Sequence, residues 1–174
     1  MDEDLNVVSA AVVETAIGPM LIAASTAGVR WIEFHDDASH LESSLRKRFP
    51  KTADRGESDV NESLSCWIRS IQESLVDPKA AIDIPLDIQG TPFQQQVWKA
   101  LVQIPMGATL TYAELARQIG RPTATRAVAS ACASNDLAIA IPCHRVIRSD
   151  GGLGGYRWGI DRKATLLERE QSAA

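Results

Sequence analysis

Apolar positions in the first part of the chain fall in short blocks. Val7 to Val13, Met20 to Ala24 and Val29 to Phe34 are rich in valine, isoleucine and alanine, and Ile17-Gly18-Pro19 and Thr26-Ala27-Gly28 interrupt them. Such blocks between turn residues predict a small antiparallel meander of three strands. Helical spacing then takes over. Leu41 and Leu45 stand four apart before Phe49-Pro50, and Leu64, Trp67, Ile68, Ile71 and Leu75 form a stripe of helical period. Lys51 to Asp59 reads as a polar loop between these helices, and Cys66, inside the second, as a buried or half-buried inert thiol. Ala80 to Gly90 is extended and interrupted by proline. The expected division is an α/β amino-terminal domain over 1–80, a linker over 81–90, and a mainly helical domain over 91–174.

The second domain opens with Thr91-Pro92, an N-cap followed by a first-turn proline, and Phe93, Val97, Leu101 and Ile104 give that helix its buried face. Thr111-Tyr112-Ala113-Glu114 fits a capping box; its short helix turns Leu115, Ala116 and Ile119 inward and stops at Gly120. Arg121-Pro122 leads into a second helix, Thr123 to Ser134, completing a helix-turn-helix. That pattern alone is common in proteins that never touch DNA. In the second helix Ala124, Ala127, Val128 and Ala131 have core-facing spacing, leaving Thr125, Arg126, Ala129, Ser130 and Ala133 outward. Major-groove readers usually present several long polar side chains. Small residues with one arginine suit close approach to a minor groove and base extrusion; packing against another helix suits them equally well. Leu137 to Ile141 reads as an apolar strand ending at Pro142 and Val146-Ile147 as a second, which puts Cys143-His144 at a sharp turn.

Composition changes this picture little, and charge changes it more. No apolar run approaches the roughly 20 residues of a membrane span, and Met1-Asp2-Glu3-Asp4 lacks the basic start of a signal peptide. Three cysteines (Cys66, Cys132, Cys143) at irregular spacings suggest no disulfide framework, so a reducing, cytoplasmic setting is expected. The net charge of −4 hides an asymmetry. Residues 1–90 carry 8 Lys+Arg against 16 Asp+Glu, residues 91–174 carry 10 against 6, so only the second half is suited to a polyanion.

The chemistry centres on Ile141-Pro142-Cys143-His144-Arg145-Val146. A free thiol, with pKa ~8.5, is mostly protonated at neutral pH. An adjacent histidine as base and positive charge from Arg145 would raise the reactive fraction. Zinc needs a second Cys/His pair at suitable spacing, and none accompanies Cys143-His144.

These residues, with the helix-turn-helix ending at Asn135 and the glycine-rich loop that follows, resemble the O6-alkylguanine-DNA alkyltransferases. Thr91-Pro92-Phe93-Gln94-Gln95-Gln96-Val97-Trp98 and Gly155-Tyr156-Arg157-Trp158-Gly159 look most like bacterial members, including the carboxy-terminal half of the adaptive-response regulators. The resemblance implies a ribonuclease H-like amino-terminal domain and a winged-helix-like helix-turn-helix. It implies that Cys143 accepts the alkyl group, that His144 is its base through a water, and that Glu170 orients His144. Asn135 would link the recognition helix to the active-site turn, and Arg126 would fill the gap left by the extruded nucleotide. Tyr112 would help turn out the base and donate a proton to guanine. Thr125, Ala127 and Ala129 would complete the DNA-facing surface. Val146, Tyr156, Arg157 and Trp158 would belong to the base pocket, with the bulk of Trp158 favouring methyl over benzyl groups. The implied protein is a single-use monomer acting on double-stranded DNA that contains O6-alkylguanine, without metal or dissociable cofactor. The amino-terminal half lacks the Cys/His zinc cluster of some animal relatives, since His35 and His40 have no cysteines nearby, and it lacks the methylphosphotriester-accepting domain of the bifunctional regulators. A cysteine hydrolase using Cys143, His144 and Glu170, a lesion sensor without transfer activity, and a transcription regulator are the competing readings.

Overall fold

The computed structural model describes residues 9–50 and 62–174. Val7 and Val8 of the expected first strand, and the expected polar loop Lys51 to Asp59, lie outside the described residues. Two compact units divide the chain, Met1–Ile88 and Gln89–Ala174.

In the first unit β1 (Ser9–Val13), β2 (Met20–Ser25) and β3 (Gly28–Phe34) form an antiparallel sheet in the order β1-β2-β3. Every residue of β2 is buried, as a central strand covered on both faces must be. Helix α1 (Ala38–Arg48) starts where the Asp37 carboxylate accepts from Ser39 N at 2.9 Å and ends with Arg46, Lys47 and Arg48, cations that suit the negative end of the helix dipole. Its Leu41 joins Leu21, Ala23, Trp31 and Phe49 in one cluster. Helix α2 (Glu62–Val76) buries Leu64, Ile68, Ile71 and Leu75, the stripe its spacing predicts; Trp67 is only half-buried, and Cys66, expected to be buried or half-buried, is exposed because it falls outside that stripe.

The stretch expected to be a plain linker does more than connect. Val29 N donates to Pro85 O and Asp87 N to Val29 O, both at 2.8 Å, so residues 85–87 run along the open edge of β3. Gly28 is required there: its φ is +144°, and a Cβ would lie 2.5 Å from Pro85 O. Asp87 is buried, where it accepts from Ser25 Oγ at 2.7 Å and pairs with Arg30 at 3.6 Å. Extended backbone was legible in the prolines; its docking depends on an edge strand far away in sequence.

The second unit is built from α3 (Pro92–Val102), β4 (Leu110–Thr111), α4 (Tyr112–Gln118), α5 (Thr125–Ala133), β5 (Val146–Ile147) and α6 (Ile160–Ala173). The expected capping box of Thr111 with Glu114 forms, and Thr91, expected as an N-cap, also closes a capping box with Gln94. Strands β4 and β5 pair in parallel, Leu110 with Val146 and Thr111 with Ile147, which ties the start of α4 to the segment after Cys143. Trp98 Nε1 donates to Ala131 O at 2.8 Å, fixing α3 against α5. Among the described residues, no helix is long and apolar enough to cross a membrane.

Two sequence expectations fail here. Ala127, expected to face the core, is exposed, and Cys132 takes a core place beside Val128 and Ala131; a helix of small residues leaves its inward face ambiguous, and packing against α3 and α4 decides it. Leu137 to Ile141 is a tight turn and no strand: Ile141 N donates to Leu137 O at 3.0 Å, and Ile139 has φ +59°. The run is apolar because it is buried, and burial alone does not specify extended backbone.

Replacing Trp98 by Phe removes the indole donor and leaves the Ala131 carbonyl with only Ser134 Oγ at 3.0 Å, so the variant is expected to lose about 0.5–1.5 kcal/mol of stability. Denaturant unfolding of both proteins checks this.

Candidate active site

Asn135, 1% exposed at the end of α5, organises the turn that carries Cys143. Its Oδ1 accepts from Leu137 N at 2.9 Å, and its Nδ2 donates to Ile141 O at 2.9 Å and to Cys143 Sγ at 3.3 Å. One amide thus closes the turn and supplies a donor to the sulfur. From Cys143 to Arg145 the chain makes a single 3-10 turn, with Arg145 N donating to Pro142 O at 3.0 Å.

Helix α6 supplies the other half of the site from one stripe, Lys163, Leu166, Leu167 and Glu170, all buried. His144 Nε2 lies 2.8 Å from Glu170 Oε1. Arg145 donates to the same carboxylate from Nε (2.9 Å to Oε2) and Nη2 (2.9 Å to Oε1), and from Nη1 to Ile104 O at 2.6 Å. Gly107 N adds a further donor to Oε2 at 3.3 Å. Burial pushes the Glu170 carboxyl up, but the hydrogen bonds and charges of His144 and Arg145 outweigh it and hold the pKa down at about 2. Against an ionised partner, His144 Nε2 carries the ring proton, and buried Nδ1, which makes no hydrogen bond to another described residue, keeps its lone pair. Burial pushes the His144 pKa down, favouring this neutral form.

Burial pushes the Cys143 thiol up, opposed in part by the Asn135 hydrogen bond and by the positive charges of Lys163 and Arg157. This corrects the role expected of Arg145. Its guanidinium is spent on Glu170 and a carbonyl, while the cations acting on the sulfur come from α6 and the glycine-rich loop. Lys163 is fully buried, and its Nζ donates to Val146 O at 2.6 Å, to Leu153 O at 2.5 Å and to Gly155 O at 3.4 Å. It clasps the loop to the segment after Cys143. Sequence reasoning missed Lys163, although its spacing of three, four and seven from Leu166, Leu167 and Glu170 was a readable signal.

Cys143 opens into a pocket of about 900 Å³ lined by Tyr112, Ala129, Cys132 and Ala133 on the helical side, and by Arg148, residues 152–157 and Ile160 on the other. Gly154 has φ +72°, and a Cβ there would come within 3.2 Å of the Tyr112 hydroxyl, so glycine lets the loop pass close. Burial, with the neighbouring Cys132 and Cys143, pushes the Tyr112 phenol up to about 12; it is a neutral donor at neutral pH. Tyr156 and Arg157 line the pocket as expected residues of its wall, and Arg157 is tied by Nη1 to Asp136 at 2.7 Å. Val146 and Trp158 do not line it. Val146 is buried in β5, and Trp158 lies behind the wall with its ring 5.2 Å from that of Tyr156; its bulk supports the wall and leaves the opening alone. On α5, Ala129 reaches the pocket, Thr125 is half-buried, and Arg126 and Ala127 are exposed outside it. Among the described residues no three His, Cys, Asp or Glu side chains are grouped to hold a metal.

Residues 92–172 match the family model described as 6-O-methylguanine DNA methyltransferase, DNA binding domain. The chain is 49% identical over 160 residues to the bifunctional transcriptional activator/DNA repair enzyme Ada of Escherichia coli, an alignment that takes in 92% of this chain and 44% of that protein. It is 39% identical over 165 residues to a methylated-DNA–protein-cysteine methyltransferase of Methanosarcina barkeri, covering 92% of this chain and 96% of the relative. A solved Mycobacterium tuberculosis OGT in complex with DNA superposes with TM-score 0.77 at 38% identity, over 94% of this chain and 92% of that one. The chain belongs to the methylated-DNA–protein-cysteine methyltransferase family. It spans about half or less of the length of the Ada proteins and of the mycobacterial methyltransferase sequence it matches.

Because the Glu170 pKa falls on folding from 4.5 to about 2, the stability Glu170 confers is fully present above about pH 4.5 and is lost as pH falls toward 2. The stability gap between wild type and Glu170→Gln should be widest near neutrality and close across that window. A gap independent of pH in denaturant titrations would contradict the ionised, doubly bonded carboxylate.

Proposed function

We propose that the protein repairs alkylated DNA by direct reversal, moving a methyl or other alkyl group from guanine O6 to Cys143. One arrangement carries the reading: a buried thiol bonded to Asn135, on the floor of a pocket and beside a histidine whose proton is held by an ionised carboxylate. His144 takes the thiol proton, and the thiolate attacks the alkyl carbon in line with the C–O6 bond. That bond breaks, and guanine leaves with a proton from the neutral Tyr112 phenol. The proton taken by His144 balances the one delivered. The product is a thioether with no easy hydrolysis route, so each molecule acts once. Ours is also the reading that the amino-terminal unit is ribonuclease H-like and that α4 and α5 form a winged-helix-like helix-turn-helix.

A base inside a duplex cannot reach a pocket of this kind, so the target guanine is extruded. The small exposed face of α5 suits a minor groove, with Thr125, Ala127 and Ala129 allowing close approach, Arg126 filling the vacated stack and Tyr112 assisting extrusion. The protein acts as a monomer on double-stranded DNA. Cytoplasmic action fits cysteines that must stay reduced.

Intact mass spectrometry after incubation with duplex DNA containing O6-methylguanine tests the reading. The expected result is one methyl per protein, mapped to Cys143 and absent with undamaged DNA; no gain, or methyl on Cys66 or Cys132, refutes it. Extrusion costs a few kcal/mol, so Arg126→Ala should slow transfer from duplex roughly tenfold or more while leaving transfer from free O6-methylguanine base unchanged. Equal slowing of both would place Arg126 in the chemistry and not in extrusion. The same assay with O4-methylthymine DNA decides whether that base is also accepted.

A further inference from the structure

The loop wall of the Cys143 pocket carries two arginines, Arg148 and Arg157. Arg157 is committed to the protein: its Nη1 donates to Asp136 Oδ1 at 2.7 Å and to Asn135 O at 3.3 Å. Arg148 is held differently. Its backbone is fixed in a tight loop, with Arg148 N donating to Gly152 O at 2.8 Å and Gly151 N to Arg148 O at 3.0 Å. Its stem runs along the glycines of that loop: a Cβ on Gly154 would lie 3.4 Å from Cγ, and one on Gly152 3.6 Å from Cδ. The side chain is 62% exposed, and Nη2 donates to Asp150 Oδ2 at 2.7 Å. Asp150 is aimed by Gly152 N, which donates to Oδ1 at 3.0 Å. That bond, with the Arg148 charge, holds the Asp150 carboxyl below the usual carboxylate range.

An ion pair this exposed adds little to stability, so holding the fold is not its use. What it does is keep a guanidinium extended at the rim of the pocket with an anion already against it. A phosphodiester offers the same guanidinium two oxygens and strong charge-assisted bonds. Exchanging one anion for the other costs the fold little, because Arg148 and Asp150 both stand in water. A base that enters this pocket leaves its sugar and phosphates at the rim, where Arg148 stands. We propose that Arg148 pairs with a backbone phosphate of the strand whose base enters the pocket, with Asp150 holding the phosphate's place until DNA binds. The loop wall then takes a share of the DNA surface separate from the exposed face of α5. The inference deepens the transfer reading above and rests on a base entering the pocket.

Salt titrations of binding test this, using the full chain with Cys143→Ser, so that no transfer intervenes, and a duplex containing O6-methylguanine as the probe. Each phosphate neutralised contributes about 0.9 to the slope of log affinity against log salt. Arg148→Gln should therefore lower the slope by about one and weaken binding roughly tenfold at about 0.1 M salt. Arg148→Lys keeps the charge and should keep the slope. Asp150→Asn removes the competing anion and should tighten binding roughly threefold, the factor an exposed ion pair can supply. A slope unchanged in Arg148→Gln overturns the proposal, as does binding no tighter in Asp150→Asn. Should Arg148→Gln fail to fold, Asp150→Asn decides alone. If wild type transfers no methyl to Cys143, the transfer reading fails, and the salt slopes still decide whether Arg148 meets a phosphate.

Discussion

A carboxylate taken out of water stays charged only when donors surround it, and a histidine beside it then has its proton assigned. Glu170 is buried under His144, Arg145 and Gly107 N, and the working parts of the site follow from that. The ionised carboxylate draws the imidazole proton to Nε2 and leaves Nδ1 basic. It also occupies Arg145, which in turn anchors the end of α3 through Ile104 O. Losing the carboxylate would leave the half-buried Arg145 guanidinium with only Ile104 O and the imidazole without a fixed tautomer.

The nucleophile obeys the opposite logic. Burial disfavours its thiolate more than Asn135, Lys163 and Arg157 favour it, so Cys143 rests as a thiol and depends on a base at the moment of transfer. Under the proposed transfer a resting thiol suits a single-use acceptor, because a standing thiolate would be consumed by any small electrophile. The thiol lines a pocket together with Tyr112, Tyr156 and the glycine-rich loop.

Local signals made much of this legible in the sequence. The Thr91 N-cap, the Thr111–Glu114 capping box, the glycine- and proline-bounded strands, and the helical stripe of Leu64 to Leu75 depend on neighbours a few residues apart, and each forms as read. The motif around Cys143 marked the candidate nucleophile for the same reason. What escaped depends on side-chain hydrogen bonds and packing that apolar spacing does not reveal. The turn over Leu137 to Ile141 exists because the Asn135 side chain closes it, and an apolar run cannot announce that. Arg145 was assigned to the sulfur because it is adjacent in sequence, while the cations that act on it sit 14 and 20 residues further on, at Arg157 and Lys163. Trp158 follows directly on the wall residues Tyr156 and Arg157 yet packs behind them.

The central claim is that Cys143 is a protonated, restrained thiol until His144 draws its proton toward the Glu170 side of the site. Ultraviolet thiolate absorbance of the free protein, titrated against a Cys143→Ser variant, measures this directly. The account predicts no thiolate signal attributable to Cys143 at pH ~7, below the ordinary range for a free thiol, and its appearance only at higher pH. A Cys143 thiolate already formed at or below neutrality would contradict it.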